Sequence, residues 1–116
     1  MKTWRGSCHC GKVTFEVVGT PTEVNECNCS YCSRKGFQLW FIPLAQFKLK
    51  SGEGDLTQYL FNRRHIRHQF CRHCGTQAFA YGEFPKGTPI AAVNVRCLPD
   101  VDRSKLKINY VDGKSF

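Results

Sequence analysis

Three cysteines lie within six residues of this chain, at Cys27, Cys29 and Cys32. A C-x-x-C turn brings two sulfurs to roughly 3.5–4 Å, the edge of a tetrahedron around a zinc ion. If Cys27 and Cys29 end a strand, both side chains point to one face and can join the third sulfur around the same ion. Structural zinc sites are closed by four protein ligands, whereas catalytic zinc sites keep one position open. The group therefore predicts a metal site that is either open or completed from elsewhere in the chain.

Two further cysteine pairs lie far apart in the sequence. Cys8 and Cys10 form a C-x-C pair, and Cys71 and Cys74 form a C-x-x-C pair whose first member lies 61 residues beyond Cys10. Each pair lacks two ligands, so joining the pairs predicts a closed four-thiolate zinc site that ties two distant parts of the chain together. Such a structural zinc ion can contribute on the order of 10 kcal/mol to folding.

Whether clustered cysteines form disulfides or bind metal depends on the redox state of the compartment. The 116 residues include eight cysteines, and the first residues lack the apolar segment of a signal peptide. No apolar run approaches the ~20 residues that a membrane span needs. We therefore expect a cytoplasmic protein with one domain over residues 1–116, a monomer or homodimer that does not associate with membranes. In a reducing compartment, clustered cysteines are more often metal ligands than disulfides.

Apolar residues alternate with polar ones along much of the chain, which is the period of half-buried strands. The clearest alternation is Val13, Phe15 and Val17. A short helical turn is predicted at Ser30–Lys35, ended by Gly36. The pattern predicts a mainly β fold, a small complex of twisted antiparallel sheets with about eight to ten strands, tied by a structural zinc. The other predicted strands cover residues 23–28, 37–42, 47–49, 56–61, 66–70, 76–81, 90–95 and 106–110.

The cysteine motifs and one later segment resemble, in order, those of the glutathione-dependent formaldehyde-activating enzyme family, which also includes centromere protein V. The matching segments are Gly6–Glu16, Cys27–Arg34, Phe70–Thr76 and Val93–Asp100, so the resemblance covers essentially the whole chain. It implies a β fold of two or three small twisted sheets. It also implies a structural zinc on Cys8, Cys10, Cys71 and Cys74, and a second zinc on Cys27, Cys29 and Cys32.

The resemblance implies a carbon–sulfur lyase that joins glutathione to formaldehyde, and the chemistry of three thiolates agrees with it. Three thiolates leave a zinc complex with net charge −1, which weakens the ion as a Lewis acid and suits a further sulfur ligand. An incoming thiol would lose its proton yet stay nucleophilic toward a small carbonyl. This hypothesis makes Cys27, Cys29 and Cys32 the catalytic residues. Arg34 and Lys35 follow directly and are expected to bind the carboxylates of glutathione.

A second hypothesis describes a zinc-stabilised basic binding module, without catalysis, for nucleic acid or an acidic partner. The formal net charge is +8, and seven thiolates with two zinc ions, adding −7 and +4, would bring it to +5. Tyr31, Phe61 or Phe70 would offer rings for stacking. The chain contains no run of five or six consecutive charges, which favours the enzyme hypothesis. A third hypothesis makes the Cys27–Cys32 group a redox or metal sensor. The basic cluster of the second hypothesis is Arg63, Arg64, His65, Arg67, His68 and Arg72.

Cys97 and the histidines are the remaining candidates. Cys97 follows an apolar strand, where it is expected to be a small buried hydrophobe, or alternatively to complete the Cys27–Cys32 group. His9 lies between Cys8 and Cys10, and His73 lies between Cys71 and Cys74; both are expected to point away from the sulfurs. His65 and His68 are three apart, so on one strand they face opposite sides and cannot share an ion. A solvent-facing role is expected for all four histidines.

Overall fold

The computed structural model describes residues 2–60 and 66–112, which form ten strands and one α-helix with four short 3-10 helices. The prediction of a mainly β fold is confirmed. The helices are α1 (Ser30–Lys35) and the 3-10 helices Leu44–Gln46, Glu53–Asp55, Val95–Cys97 and Arg103–Lys105. The strands are β1 (Thr3–Ser7), β2 (Thr14–Val18), β3 (Glu23–Cys27), β4 (Leu39–Pro43), β5 (Phe47–Ser51), β6 (Leu56–Tyr59), β7 (Arg67–Cys71), β8 (Phe79–Glu83), β9 (Pro89–Asn94) and β10 (Lys107–Val111).

The strands form two sheets. One has three strands in the order β1-β2-β5, and the other has seven in the order β10-β3-β4-β9-β8-β7-β6. Every pair in both sheets is antiparallel except β10 with β3, which is parallel. The antiparallel prediction therefore has one exception. A parallel pair needs a long connection, and here the chain passes through six other strands before β10 returns to β3.

The main core lies between the two sheets. Val13, Phe15 and Val17, the alternating residues of the sequence pattern, are all at most 1% exposed. The Phe15 ring lies 5.6 Å from the ring of Phe79, so the small sheet packs its apolar face onto the large one. Gly6 pairs with Phe15 across β1 and β2, and a Cβ there would come within 2.8 Å of the Leu98 Cδ2 atom. The close approach explains why this strand position carries no side chain.

The strand that follows Cys74 begins later than the alternation predicts. The predicted strand starts at residue 76, but β8 starts at Phe79, because the preceding residues form the turn around the cysteines. There the backbone N–H of Cys71 donates to the Thr76 carbonyl at 3.0 Å. The predicted strand 56–61 ends at Tyr59, and its last residue, Phe61, lies outside the described residues.

The helix α1 has six residues, and no helix within residues 2–60 and 66–112 is long and apolar enough to cross a membrane.

Candidate metal centres

The first candidate centre is the four-cysteine group, which consists of Cys8, Cys10, Cys71 and Cys74. Their sulfur atoms all lie within 4.8 Å of one another. The Sγ atoms of Cys8 and Cys10 are 3.6 Å apart, and those of Cys10 and Cys71 are 3.7 Å apart. A tetrahedral zinc with bonds of about 2.3 Å has sulfur–sulfur edges of about 3.8 Å. The four thiols therefore fit zinc in number, chemistry and spacing.

Two turns aim backbone amides at these sulfurs. The N–H of Val13 donates to Cys8 Sγ at 3.4 Å, and the N–H of His73 donates to Cys71 Sγ at 3.4 Å. The second turn is closed by Gly75, whose positive φ of 78° lets its N–H donate to the Cys71 carbonyl at 2.8 Å. Donors directed at sulfur favour the thiolate over the thiol. The local backbone is thus arranged for charged sulfurs.

The thiols of the four-cysteine group differ in how readily they ionise. The Thr76 hydroxyl, 3.4 Å from Cys74 Sγ, and the Thr76 backbone lower the pKa of Cys74 to about 5. The Lys12 backbone favours the Cys10 thiolate, but desolvation and neighbouring thiols raise the pKa of Cys10 to about 11. Four thiolates cannot coexist at this distance without a cation, so occupation by a metal would release protons.

The second candidate centre is the three-cysteine group, Cys27, Cys29 and Cys32, whose sulfur atoms also lie within 4.8 Å of one another. Cys27 is the last residue of β3, and Cys29 is the N-cap of α1. The Cys29 sulfur accepts from the N–H of Cys32 at 3.3 Å, and the Cys27 sulfur accepts from the N–H of Cys29 at 3.5 Å. The helix ends at Gly36 in the left-handed conformation. A strand end followed by one helical turn is the local structure that the spacing predicts.

No fourth ligand closes the three-cysteine group among the described residues. No other histidine, cysteine or carboxylate there joins either group. Cys97 packs against the main core, where burial and the charges of Cys8 and Cys74 raise its pKa to about 11. The alternative in which Cys97 completes the three-cysteine group is therefore wrong, and Cys97 is a small, partly buried hydrophobe that packs against the core.

Burial sets the ionisation of the three-cysteine group. It raises the pKa of Cys32, which is 8% exposed, well above the ordinary range, and it also raises the pKa of Cys27. Burial acts on Cys29 in the same direction, but the N–H of Cys32 and the neighbouring thiols outweigh it and lower the pKa of Cys29. Cys29 is thus the member of the group that loses its proton most readily, and the raised pKa values of Cys27 and Cys32 mean that a metal would have to displace protons from them.

The two cations predicted to bind the carboxylates of a thiol ligand point to different places. Arg34 donates from Nη1 to the Ser30 carbonyl at 2.7 Å, which keeps its guanidinium at the start of α1, beside Cys29. Lys35 lies over aromatic rings, with Nζ 5.7 Å from the Tyr31 centroid and 5.9 Å from the Phe70 centroid. The structure therefore places the Arg34 guanidinium at the first residue of α1 and the Lys35 amine over the rings of Tyr31 and Phe70.

The histidines differ from the solvent-facing prediction at one position. His68 is 4% exposed, because its strand turns it under the ring of Tyr31, 4.5 Å away between centroids. Burial and the charge of Lys35 lower the pKa of His68 to about 4, so the ring is neutral. The signal in the sequence was its spacing of two from Phe70 on one strand face. His9 and His73 are exposed as predicted, and His65 lies outside the described residues.

The predicted nucleic-acid surface is only partly within the described chain. Arg67 and Arg72 are exposed, and Arg72 lies 3.8 Å from the carboxylate of Asp55. The ring of Tyr31 already packs against those of Tyr59, His68 and Phe37, so it is not the open stacking face that this hypothesis requires. Phe70 is half-buried on β7, and the other members of the predicted surface, Phe61, Arg63, Arg64 and His65, lie outside the described residues.

Sequence reasoning did not identify one polar residue behind α1. Gln77 is 4% exposed, and its side chain lies between Tyr31 and His68, with distances of 2.7 Å and 2.9 Å to their polar atoms. It follows Cys74 by three positions in a segment that reads as an ordinary strand. Only the fold brings it beneath the helix.

Two comparisons with known proteins match most of the chain. A family model described as "Glutathione-dependent formaldehyde-activating enzyme" matches residues 3–110. The crystal structure of a Rhodobacter sphaeroides protein superposes with a TM-score of 0.76 at 29% sequence identity, covering 90% of this chain and 99% of that protein. The chain is similar to both over nearly its full length, and the range matched by the family model contains the positions of all seven cysteines of the two groups.

Proposed function

The chain belongs to the glutathione-dependent formaldehyde-activating enzyme family, and from this premise we propose that it binds glutathione at the three-cysteine group and promotes its addition to formaldehyde or a related small carbonyl. In this proposal each cysteine group holds one zinc ion, and the protein acts as a carbon–sulfur lyase. The free state of all eight cysteines supports a reducing, cytoplasmic setting.

One observation carries the proposal: the three-cysteine group offers three sulfurs on one side and no fourth ligand among the described residues. The four-cysteine group has its full complement of ligands, so it has no position for a substrate. A zinc ion held by three thiolates would supply one free ligand position that suits a further sulfur and lowers the pKa of an incoming thiol.

The proposed reaction is an addition. The sulfur of glutathione attacks the carbonyl carbon and forms one carbon–sulfur bond, while the carbonyl π electrons move to oxygen. The proton lost by the thiol returns to that oxygen, which gives a hemithioacetal, and the reverse reaction cleaves the same bond. The protein's contribution is to hold the thiol as a thiolate and to orient it.

The residues around the three-cysteine group support a site that binds glutathione as a thiolate. The N–H of Cys32 donates to Cys29 Sγ at 3.3 Å and lowers the pKa of that thiol. Arg34, fixed on the Ser30 carbonyl at the same end of α1, is suited to bind a glutathione carboxylate with its remaining N–H groups. Lys35 contributes positive charge from the side of the aromatic rings.

Titration calorimetry in buffers of different ionisation enthalpy tests the proposal. Glutathione binding should release about one proton at pH 7, because the free thiol, with a pKa of about 8.5, is mostly protonated there. Cobalt substitution should add a sulfur-to-metal absorption band that becomes stronger when glutathione is added.

S-methylglutathione is the matched control ligand, since it keeps both carboxylates but has no thiol proton to lose. It should bind weakly and leave the cobalt band unchanged. Equal binding of the two tripeptides would contradict the proposal, because basic side chains alone would then capture the ligand. Tight, salt-dependent binding of an oligonucleotide instead of glutathione would favour the binding-module hypothesis.

A further inference from the structure

A chain of buried hydrogen bonds lies behind α1. The hydroxyl of Tyr31 donates to Gln77 Oε1 at 2.7 Å, and Gln77 Nε2 lies 2.9 Å from His68 Nδ1. Gln77 and His68 are each only 4% exposed. Both polar atoms of the Gln77 side chain are therefore engaged, one in a buried contact with His68 and one in a partly buried bond from Tyr31. Hydrogen bonds of buried polar groups are strong and costly to lose.

The identity of the donors determines the direction of each hydrogen bond between Tyr31, Gln77 and His68. An amide nitrogen can only donate, so His68 Nδ1 must accept, and the proton of the neutral ring resides on Nε2. With Nε2 committed to His68, the amide oxygen of Gln77 faces Tyr31 and accepts its hydroxyl proton. Asn94 Nδ2 also donates to the Gln77 backbone carbonyl at 3.1 Å, which fixes the main chain from which this side chain extends.

Tyr31 lies between two members of the three-cysteine group, Cys29 and Cys32. Its helix, α1, is too short to be stable without contacts to the rest of the protein. The helix has six residues, of which only Cys32 is buried, and isolated helices of this length are unstable in water. A bond from Tyr31 to Gln77, in the segment that leads into β8, therefore restrains the turn that carries two of the three sulfurs. The other end of α1 has a separate restraint, from Arg96 Nε to the Gly36 carbonyl at 3.0 Å.

We propose that Gln77 is a positioning residue for the three-cysteine group, acting through Tyr31 to hold the Cys29–Cys32 turn in its metal-binding geometry. His68 sets which way the Gln77 amide faces. Gln77 lies three residues beyond Cys74, so the segment that leaves the four-cysteine group also supports the three-cysteine group. The inference rests on the proposed function only in that the three-cysteine group must bind zinc.

Zinc release to a chromophoric chelator tests the inference without any assay of activity. The full-length zinc-loaded protein should release two ions at different rates, and Cys29→Ser, which retains only the four-cysteine group, identifies the slower one. Gln77→Leu and the milder Tyr31→Phe should each speed release from the three-cysteine group roughly tenfold or more, the usual effect of losing a supporting contact. Release from the four-cysteine group should be unchanged.

Two further variants separate positioning from general stability. Gln69→Leu is the matched control, because Gln69 is a buried glutamine on β7 that donates to Gln58 and to the Arg67 carbonyl and, within the described part of the chain, makes no hydrogen bond to α1. It should lower thermal stability without changing release from the three-cysteine group. His68→Asn keeps an acceptor near the Nδ1 position and should release zinc like the original protein, whereas His68→Leu should behave like Gln77→Leu.

The cobalt-substituted protein gives a second readout, in which Gln77→Leu and Tyr31→Phe should shift the visible bands of the three-cysteine group. Release and spectra that match those of Gln69→Leu would overturn the positioning role. A protein that never holds a second metal ion, as measured before any substitution, would instead overturn the proposed function and this inference with it. Metal present at the three-cysteine group but indifferent to Gln77 and Tyr31 would overturn this inference alone.

Discussion

The two cysteine groups of this protein differ in where their ligands come from. The four-cysteine group joins Cys10 to Cys71 across 61 residues and connects the end of the small sheet to a turn of the large one. The three-cysteine group takes all its ligands from six consecutive residues. Burial does not distinguish the two groups, because Cys10 is exposed in the first and Cys32 is buried in the second.

This difference separates a folding role from a chemical one. A metal that joins distant segments can bind only when the fold has brought those segments together, so its binding free energy contributes to the free energy of folding. A metal held by one strand end and one helical turn ties together very little chain, so it adds less to folding and can keep a position for a ligand. We therefore expect the four-cysteine group to maintain the structure and the three-cysteine group to perform the chemistry.

The largest expected effect comes from breaking one group at a time. Cys71→Ser should unfold the protein or prevent its accumulation, because a structural zinc contributes on the order of 10 kcal/mol, comparable to the whole stability of a domain. Cys29→Ser should leave a folded protein that no longer binds glutathione. Circular dichroism with thermal unfolding measures the first effect, and calorimetry the second. Equal losses of thermal stability in the two variants would contradict the division of roles.

Metal content sharpens the same comparison. Purified protein should approach two zinc ions per chain, and a chelator should remove the ion of the three-cysteine group first, since that ion has one protein ligand fewer. Release rates should differ by at least about tenfold. Simultaneous loss of both ions, measured by elemental analysis during dialysis, would mean that the two groups are not independent.

Acidification should act through His68, which lies behind the three-cysteine group. Its pKa is about 4 in the folded protein and about 6.5 when unfolded, so between these values the unfolded state binds more protons. Stability should therefore fall as the pH decreases from 6.5 to 4, by up to about 3 kcal/mol from this residue. His68→Asn, which cannot titrate, should lose less stability over the same interval in urea unfolding. Parallel losses in the two proteins would contradict a buried, neutral His68.

The smallest expected effect distinguishes the two cations near α1. Arg34→Gln should weaken glutathione binding about fivefold, which corresponds to about 1 kcal/mol, because its guanidinium is held at the sulfur end of the helix. Lys35→Gln should change binding by less than about twofold, since its amine lies over the rings of Tyr31 and Phe70. Calorimetric titration measures both. A larger loss in the Lys35 variant would reverse the orientation proposed for the tripeptide.

The cysteine spacing and the alternation of apolar residues were sufficient to predict the three-cysteine group and the buried face of the first sheet. Ligands that lie one or two residues apart meet through local backbone geometry alone, so Cys27, Cys29 and Cys32 converge wherever a strand end precedes a helical turn. The alternation at Val13, Phe15 and Val17 likewise identified a buried strand face without reference to its partner. Local order along the chain carries both signals.

Other features depended on which strands become neighbours. The pairing of β10 with β3, the burial of His68 and the position of Gln77 beneath Tyr31 follow from the order of strands in the large sheet. So does the place of Cys97, which ends near Cys8 and Cys74 and not beside the three-cysteine group. The position of a residue along a strand determines on which face of the sheet its side chain lies. The residues that the side chain contacts on that face depend on the strand pairing and on the helix packed there.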